Sequence, residues 1–116
     1  MIYGNIANKG FTPTTAQRLC CKVPILVDNS GLQPNVVKDI PPQLIALMRT
    51  NINVQELTVA ALVNENREHI YHAAMLDPHT EAELDLDQIW NLTQDLLAAH
   101  DDWLPAWARV QARKAG

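Results

Sequence analysis

The sequence predicts an α+β fold: a short antiparallel β unit over residues 1–37, then a mainly helical region built on one long central helix. Three observations carry this. Residues 19–27, LCCKVPILV, form an apolar, β-prone run bounded by turn residues. Residues 41–66 open with two prolines and then run more than twenty residues without Pro or Gly. Beyond them, helix-starting signals recur at Asn66, Asp77 and Asp85.

The chain in order begins with MIYGNI at residues 1–6, a β-prone run with no lead-in, unusual for a complete domain. Asn8-Lys9-Gly10 can turn the chain, and residues 12–17 read as loop, held open by Pro13. Pro24 inside the second strand argues for an edge position or a bulge, because it cannot donate to a ladder. Asp28-Asn29-Ser30-Gly31 is a turn cluster, followed by an extended piece at residues 32–37.

In the central helix, Leu44, Leu47, Met48, Ile52, Val59, Leu62 and Val63 fall near one face, and Val54, Leu57 and Ala61 add a second stripe. So wide an apolar circumference predicts a helix covered on several sides. The Thr50–Asn53 stretch is its weak point, being rich in modest helix formers. Asn66 can cap a helix over 67–76, which must stop near Asp77 because Pro78 disfavours helical geometry in the residue before it. Asp77 then caps a short helical turn with Pro78 at its first position. Asp85 and Gln88 have the spacing of a capping box for a helix to about His100, with Ile89, Leu92, Thr93, Leu96 and Leu97 inward. Asp101 and Asp102 start a last segment carrying Trp103 and Trp107, bent at Pro105.

The 116 residues suit a single domain or part of one, able to bury roughly two thirds of the surface of the unfolded chain. At 47% hydrophobic and 19% charged, the composition is globular. A net charge of −4 argues against nucleic-acid binding, which needs clustered Lys and Arg. The one basic cluster, Arg109, Arg113 and Lys114, reads as a solvated tail. No apolar run approaches the roughly eighteen residues that span a bilayer, and no signal-like start is evident. The adjacent Cys20 and Cys21 give no disulfide framework, so the cytoplasm is the expected compartment.

Few residues suggest chemistry. His69 and His72 lie three apart on one helix with His79 close behind, a spacing that can share a metal. The stronger zinc signatures are absent, and surface or hydrogen-bonded histidines are the plainer expectation. Cys20 and Cys21 fall on opposite strand faces, so at most one could enter a site. Trp103 and Trp107 could stack on a sugar or base, or pack against the body or a neighbouring subunit. Asn51, Gln55 and Thr58 form a polar line along the central helix that could cross-link helices or face a site. The four glycines are too far apart for a phosphate loop, and no close carboxylate pair marks acid–base work.

Taken together, GNIANKG at residues 4–10, KVPILVDNSGLQP at 22–34, PPQLIALMRTNINVQELTV, IYHAAMLDPHT and AHDDWLP resemble, in that order and spacing, the C-terminal segment of glycoside hydrolase family 4, nearest its bacterial α-galactosidases. The resemblance implies an enzyme that uses NAD and a divalent metal, commonly manganese, to oxidise the sugar at C3. Loss of the C2 proton, elimination, addition of water and reduction then complete hydrolysis. It also implies that the Rossmann NAD-binding part, the metal ligands and the base lie in an N-terminal region with no counterpart here. No family role therefore passes to Cys20, Cys21, His69, His72, Tyr3 or Tyr71. The chain departs from the pattern at Lys22, where an acidic residue is usual, and over residues 11–17.

The implied partners are a missing N-terminal half or complementary subunit, further copies of the chain in a homo-oligomer, and an α-galactoside in the complete enzyme. Isolated, the chain is expected to lack hydrolytic activity, NAD binding and metal binding. Asn5 and Asn8, flanking the first turn, are the candidate substrate-cleft residues, against the alternative that they only stabilise that turn. The competing reading of the whole is a non-catalytic helical interaction or oligomerisation module, or a truncated gene remnant.

Overall fold

The structure, a computed structural model, describes residues 1–13 and 19–110. Most of the loop expected at residues 12–17, together with Arg113 and Lys114, lies outside the described residues. The chain groups into two compact units, Met1–Arg49 and Thr50–Gly116.

The first unit holds a three-stranded antiparallel sheet, β1 (Ile2–Ala7), β2 (Cys20–Asp28) and β3 (Gly31–Pro34), in the order β1-β2-β3. The register sets Ile2 opposite Ile25, Gly4 opposite Val23 and Ile6 opposite Cys21 on one face, where Val23 and Ile25 are fully buried. Gly4 makes room for this packing, since a Cβ there would lie 2.6 Å from Ile25 Cδ1. At the β2–β3 turn, Asp28 Oδ1 accepts from Ser30 N–H at 2.7 Å, and the positive φ falls on Gly31 (105°). That is the arrangement of a tight turn closed by a glycine bulge.

Two strand expectations are corrected. β2 is the central strand and its pairing to β1 runs unbroken, so Pro24 is neither on an edge strand nor in a bulge. Its carbonyl accepts from Asn35 N–H at 2.9 Å, and a strand residue's N and O point the same way. The missing donor therefore falls just past Pro34, where β3 has ended, and no ladder bond is lost. Of the extended piece expected to reach Val37, the strand covers only Gly31–Pro34; past the Asn35 bond to β2, Val37 N–H bonds Phe11 O at 2.7 Å.

The helices are α1 (Pro42–Asn64), α2 (Glu68–Met75), α3 (Pro78–Glu83) and α4 (Leu86–Ala99). α1 runs unbroken through Thr50–Asn53, and the boundary between the two units falls within it. It ends with Glu65 at a left-handed φ of 51°, while Asn66 N–H reaches back to Ala61 O at 3.0 Å. Asn66 Oδ1 accepts from Glu68 N–H, Asp77 from the N–H groups of His79 and Thr80, and Asp85 with Gln88 closes a reciprocal capping box. The caps at Asp77 and Asp85 are where the sequence put them, whereas α2 starts one residue later than expected, with Arg67 at its N-cap and no side-chain bond from that residue.

Burial differs from the expectation. α1 is not covered on several sides: Ala61 is its one buried residue, while Leu44, Leu47, Met48, Val59, Leu62 and Val63 are exposed. On α4, Ile89, Thr93 and Leu97 are buried but Leu92 and Leu96 are not. The buried positions repeat every four residues and form one narrow line, and Leu92 and Leu96 lie beside it. The second unit's core is that line with Ala61, Ala73, Ala108 and Tyr71, whose ring stacks on Trp90 at 4.1 Å between centroids.

Candidate functional site

Asn8 ends β1's lead into the first loop and is 1% exposed. Its Oδ1 accepts from the N–H groups of Phe11 (3.0 Å) and Thr12 (3.2 Å), and its Nδ2 donates to Thr12 O at 3.4 Å. Its own N–H bonds Leu19 O at 2.6 Å, so one residue ties both ends of the loop. The backbone requires this: Gly10, at a φ of 90°, turns the chain away from the ladder, and the following N–H groups need an acceptor. Asn5 sits differently. It lies on the exposed face of β1, opposite Lys22, with its amide open to solvent. The structure thus separates two residues that the sequence presented as a pair.

In the second unit a hollow of about 460 Å³ is lined by Thr58, Ala61, Ile70, Asp77, Leu97 and Trp107, among others. Its polar atoms are already engaged locally: Thr58 Oγ1 donates to Val54 O, Thr80 Oγ1 to Ala74 O, and Asp77 caps α3. The rest of its lining is apolar. A second hollow, about 690 Å³, opens beside His72, Glu81, Asp85 and Leu86, again with Asp85 spent on its capping box. The wall residues Ala61 and Leu97 were visible in the sequence only as helix-period positions, which do not distinguish a recess from a core.

The other candidates do not converge. The rings of His69 and His72 meet edge to face at 6.1 Å, and His69 Nδ1 is buried with no partner. Among the described residues, no three His, Cys, Asp or Glu side chains come together to hold a metal ion. Cys20 is exposed and Cys21 half-buried, on opposite faces of β2 as the pleat requires. Trp103 is 88% exposed while Trp107 lines the smaller hollow, so the two indoles form no common platform. Arg109 is tied in rather than free: its Nε donates to Leu104 O, and its carbonyl accepts from Arg67. Among the described residues no helix is long and apolar enough to cross a membrane.

Comparison with known proteins adds what the geometry lacks. The family described as the family 4 glycosyl hydrolase C-terminal domain matches residues 1–80. An α-galactosidase of Bacillus subtilis (strain 168) is 42% identical over 104 residues, which is 90% of this chain and 24% of that protein. An α-glucosidase of Erwinia rhapontici is 29% identical over 73 residues, 63% of this chain and 16% of that protein. An α-galactosidase of Rhizobium meliloti (strain 1021) is 23% identical over 106 residues, 91% of this chain and 22% of that protein. The chain thus spans less than a quarter of the length of these relatives.

Proposed function

The chain belongs to the family 4 glycosyl hydrolases, through their C-terminal domain, and from that premise we propose that it completes an α-galactosidase whose remaining machinery lies outside these 116 residues. The observation that carries the reading is the 42% identity to an α-galactosidase across 90% of the chain. The α-glucosidase match is lower in identity and covers less of the chain, which favours an α-galactoside as the substrate.

NAD and a divalent metal such as manganese belong to this proposal only for the complete enzyme. The residues described do not fit either group: no three potential ligands converge, and the glycines make no phosphate-cradling loop. This chain alone should therefore not turn over. Its partner would be the N-terminal NAD-binding portion, joined to it or supplied as a complementary subunit, in the cytoplasm. Of the two candidate cleft residues, Asn5 has an amide free to face a sugar hydroxyl, whereas the turn absorbs that of Asn8.

The test is a chimera in which this chain replaces the corresponding C-terminal part of the Bacillus subtilis α-galactosidase. With NAD, manganese and a reductant, the chimera should cleave a chromogenic α-galactoside in preference to the α-glucoside, and the isolated chain should cleave neither. A folded chimera that is inactive would sink the enzymatic reading and favour the non-catalytic helical module. Turnover by the isolated chain after rigorous purification would overturn its dependence on a partner.

A further inference from the structure

Acid and base are spread unevenly along the chain. From Glu68 to Ala108 the sequence has nine Asp and Glu residues and neither Lys nor Arg. Five of the nine, Asp77, Glu81, Glu83, Asp85 and Asp87, fall on or beside α3 and the start of α4. The larger hollow of the second unit, about 690 Å³, opens in this same stretch, between the end of α2, α3 and the first turn of α4. Its apolar wall is Met75, Leu76, Leu84, Leu86 and Ile89, of which Leu76 is 48% and Leu86 65% exposed. Glu81 and Asp85 bring carboxylates to the same hollow. Asp85 gives Oδ1 to its cap, and the exposed Glu81 carboxylate bonds to none of the described residues.

We propose that this hollow docks a basic segment of a separate protein, which sets a branched apolar side chain against the wall and Lys or Arg side chains against Glu81 and Asp85. Charge complementarity selects this occupant. An ammonium or guanidinium is attracted to carboxylates beside an apolar wall, and its aliphatic stem can lie along that wall. A second copy of the same face would set acid against acid, which costs rather than gains. Nucleic acid and the anionic face of a membrane are repelled for the same reason. The hollow lies wholly within one compact unit, so its shape depends on no other part of the chain. The proposal does not rest on the catalytic reading above, and its test measures binding alone.

The probe is the peptide acetyl-Lys-Leu-Leu-Arg-Lys-Leu-amide, titrated calorimetrically into the purified full chain at about neutral pH. A dissociation constant of about 50 μM is expected at about 50 mM salt, weakening about tenfold at about 300 mM. Glu81→Gln and Leu86→Ala should each weaken binding about fivefold, with helicity unchanged by circular dichroism. Asp95→Asn removes an equal charge from an exposed position of α4 outside the hollow, and should stay within about twofold of the unaltered chain. No binding below about 1 mM would overturn the proposal. So would equal losses from Asp95→Asn and Glu81→Gln, which would show adsorption to the acidic surface at large. A peptide with Ser in place of Leu that binds as well would remove the apolar wall from the contact and overturn it too. Competition by the separately produced N-terminal part of a family relative would assign the hollow to the enzyme's own remainder instead of a separate protein.

Discussion

Replacing Asn8 by alanine tests the division of labour at the first turn. The substitution removes the acceptor for two backbone N–H groups, those of Phe11 and Thr12, in a loop whose anchoring side chain is 1% exposed. An N–H left without a protein partner costs about 1–3 kcal/mol when shut from water, and less where water can reach it. Both bonds are only part-buried, so a combined cost of about 2 kcal/mol is expected. Amide hydrogen exchange reads this locally, without relying on tryptophan signals, all of which come from residues beyond position 89. Exchange at Phe11 and Thr12 should speed up about 30-fold, the equivalent of 2 kcal/mol, with smaller changes along the β1–β2 ladder. Asn5→Ala, at an exposed strand position, should change stability by no more than about 0.5 kcal/mol. In the active chimera the order should reverse. There Asn5→Ala lowers kcat/KM by about tenfold through loss of one hydroxyl contact, and Asn8→Ala acts only on the folded fraction. Exchange at Phe11 and Thr12 within about threefold of the unaltered chain would refute the assignment of Asn8 as the turn's anchor.

Glu65 holds a left-handed φ of 51° at the end of α1, a position that glycine occupies without a Cβ clash. Glu65→Gly should therefore stabilise the chain by about 0.5–1 kcal/mol in urea unfolding, and a loss of stability would contradict the strain argument. Asp85→Ala removes one half of the capping box that starts α4 and should cost about 1 kcal/mol, followed through Trp90 fluorescence. If Asp85→Asn costs as much as Asp85→Ala, the cap's hydrogen bond is not what Asp85 contributes.

Local chemistry was legible in the sequence wherever a few neighbouring residues settle the outcome. The caps at Asp77 and Asp85 follow from a short acceptor beside open N–H groups, and the turn at Asp28–Gly31 from an Asx bond and a glycine. The family resemblance was legible in the same way, from ordered short segments, and residues 1–80 match the family's C-terminal domain. Legibility failed where the outcome depends on what lies across a gap. Pro24 could be read as unable to donate, but not which side of β2 its nitrogen faces, nor that β3 stops one residue short of needing it. On α4, period alone made Leu92 and Leu96 equivalent to Ile89 and Leu97, yet only the latter pair is covered. For Asn5 and Asn8 the sequence offered two amides beside one turn, and only burial told anchor from open surface.

The central helix shows the same limit at larger scale. Its periodicity determines which residues share a face: Val54, Leu57 and Ala61 on one stripe, Leu44, Met48 and Leu62 on another. Which stripe is covered depends on the surfaces that meet it, and periodicity holds no information about those. Here the smaller stripe is the covered one, with Ala61 at 2% exposed, and the larger side chains are left outside, Leu62 at 62%. Leaving large apolar side chains in water is unfavourable by about 25 cal/mol per Å² of apolar surface that could have been buried. A face of this kind gains most from covering by a partner. The polar line of Asn51, Gln55 and Thr58 runs between these exposed apolar residues, with the Thr58 hydroxyl bonded to its own helix at Val54 O.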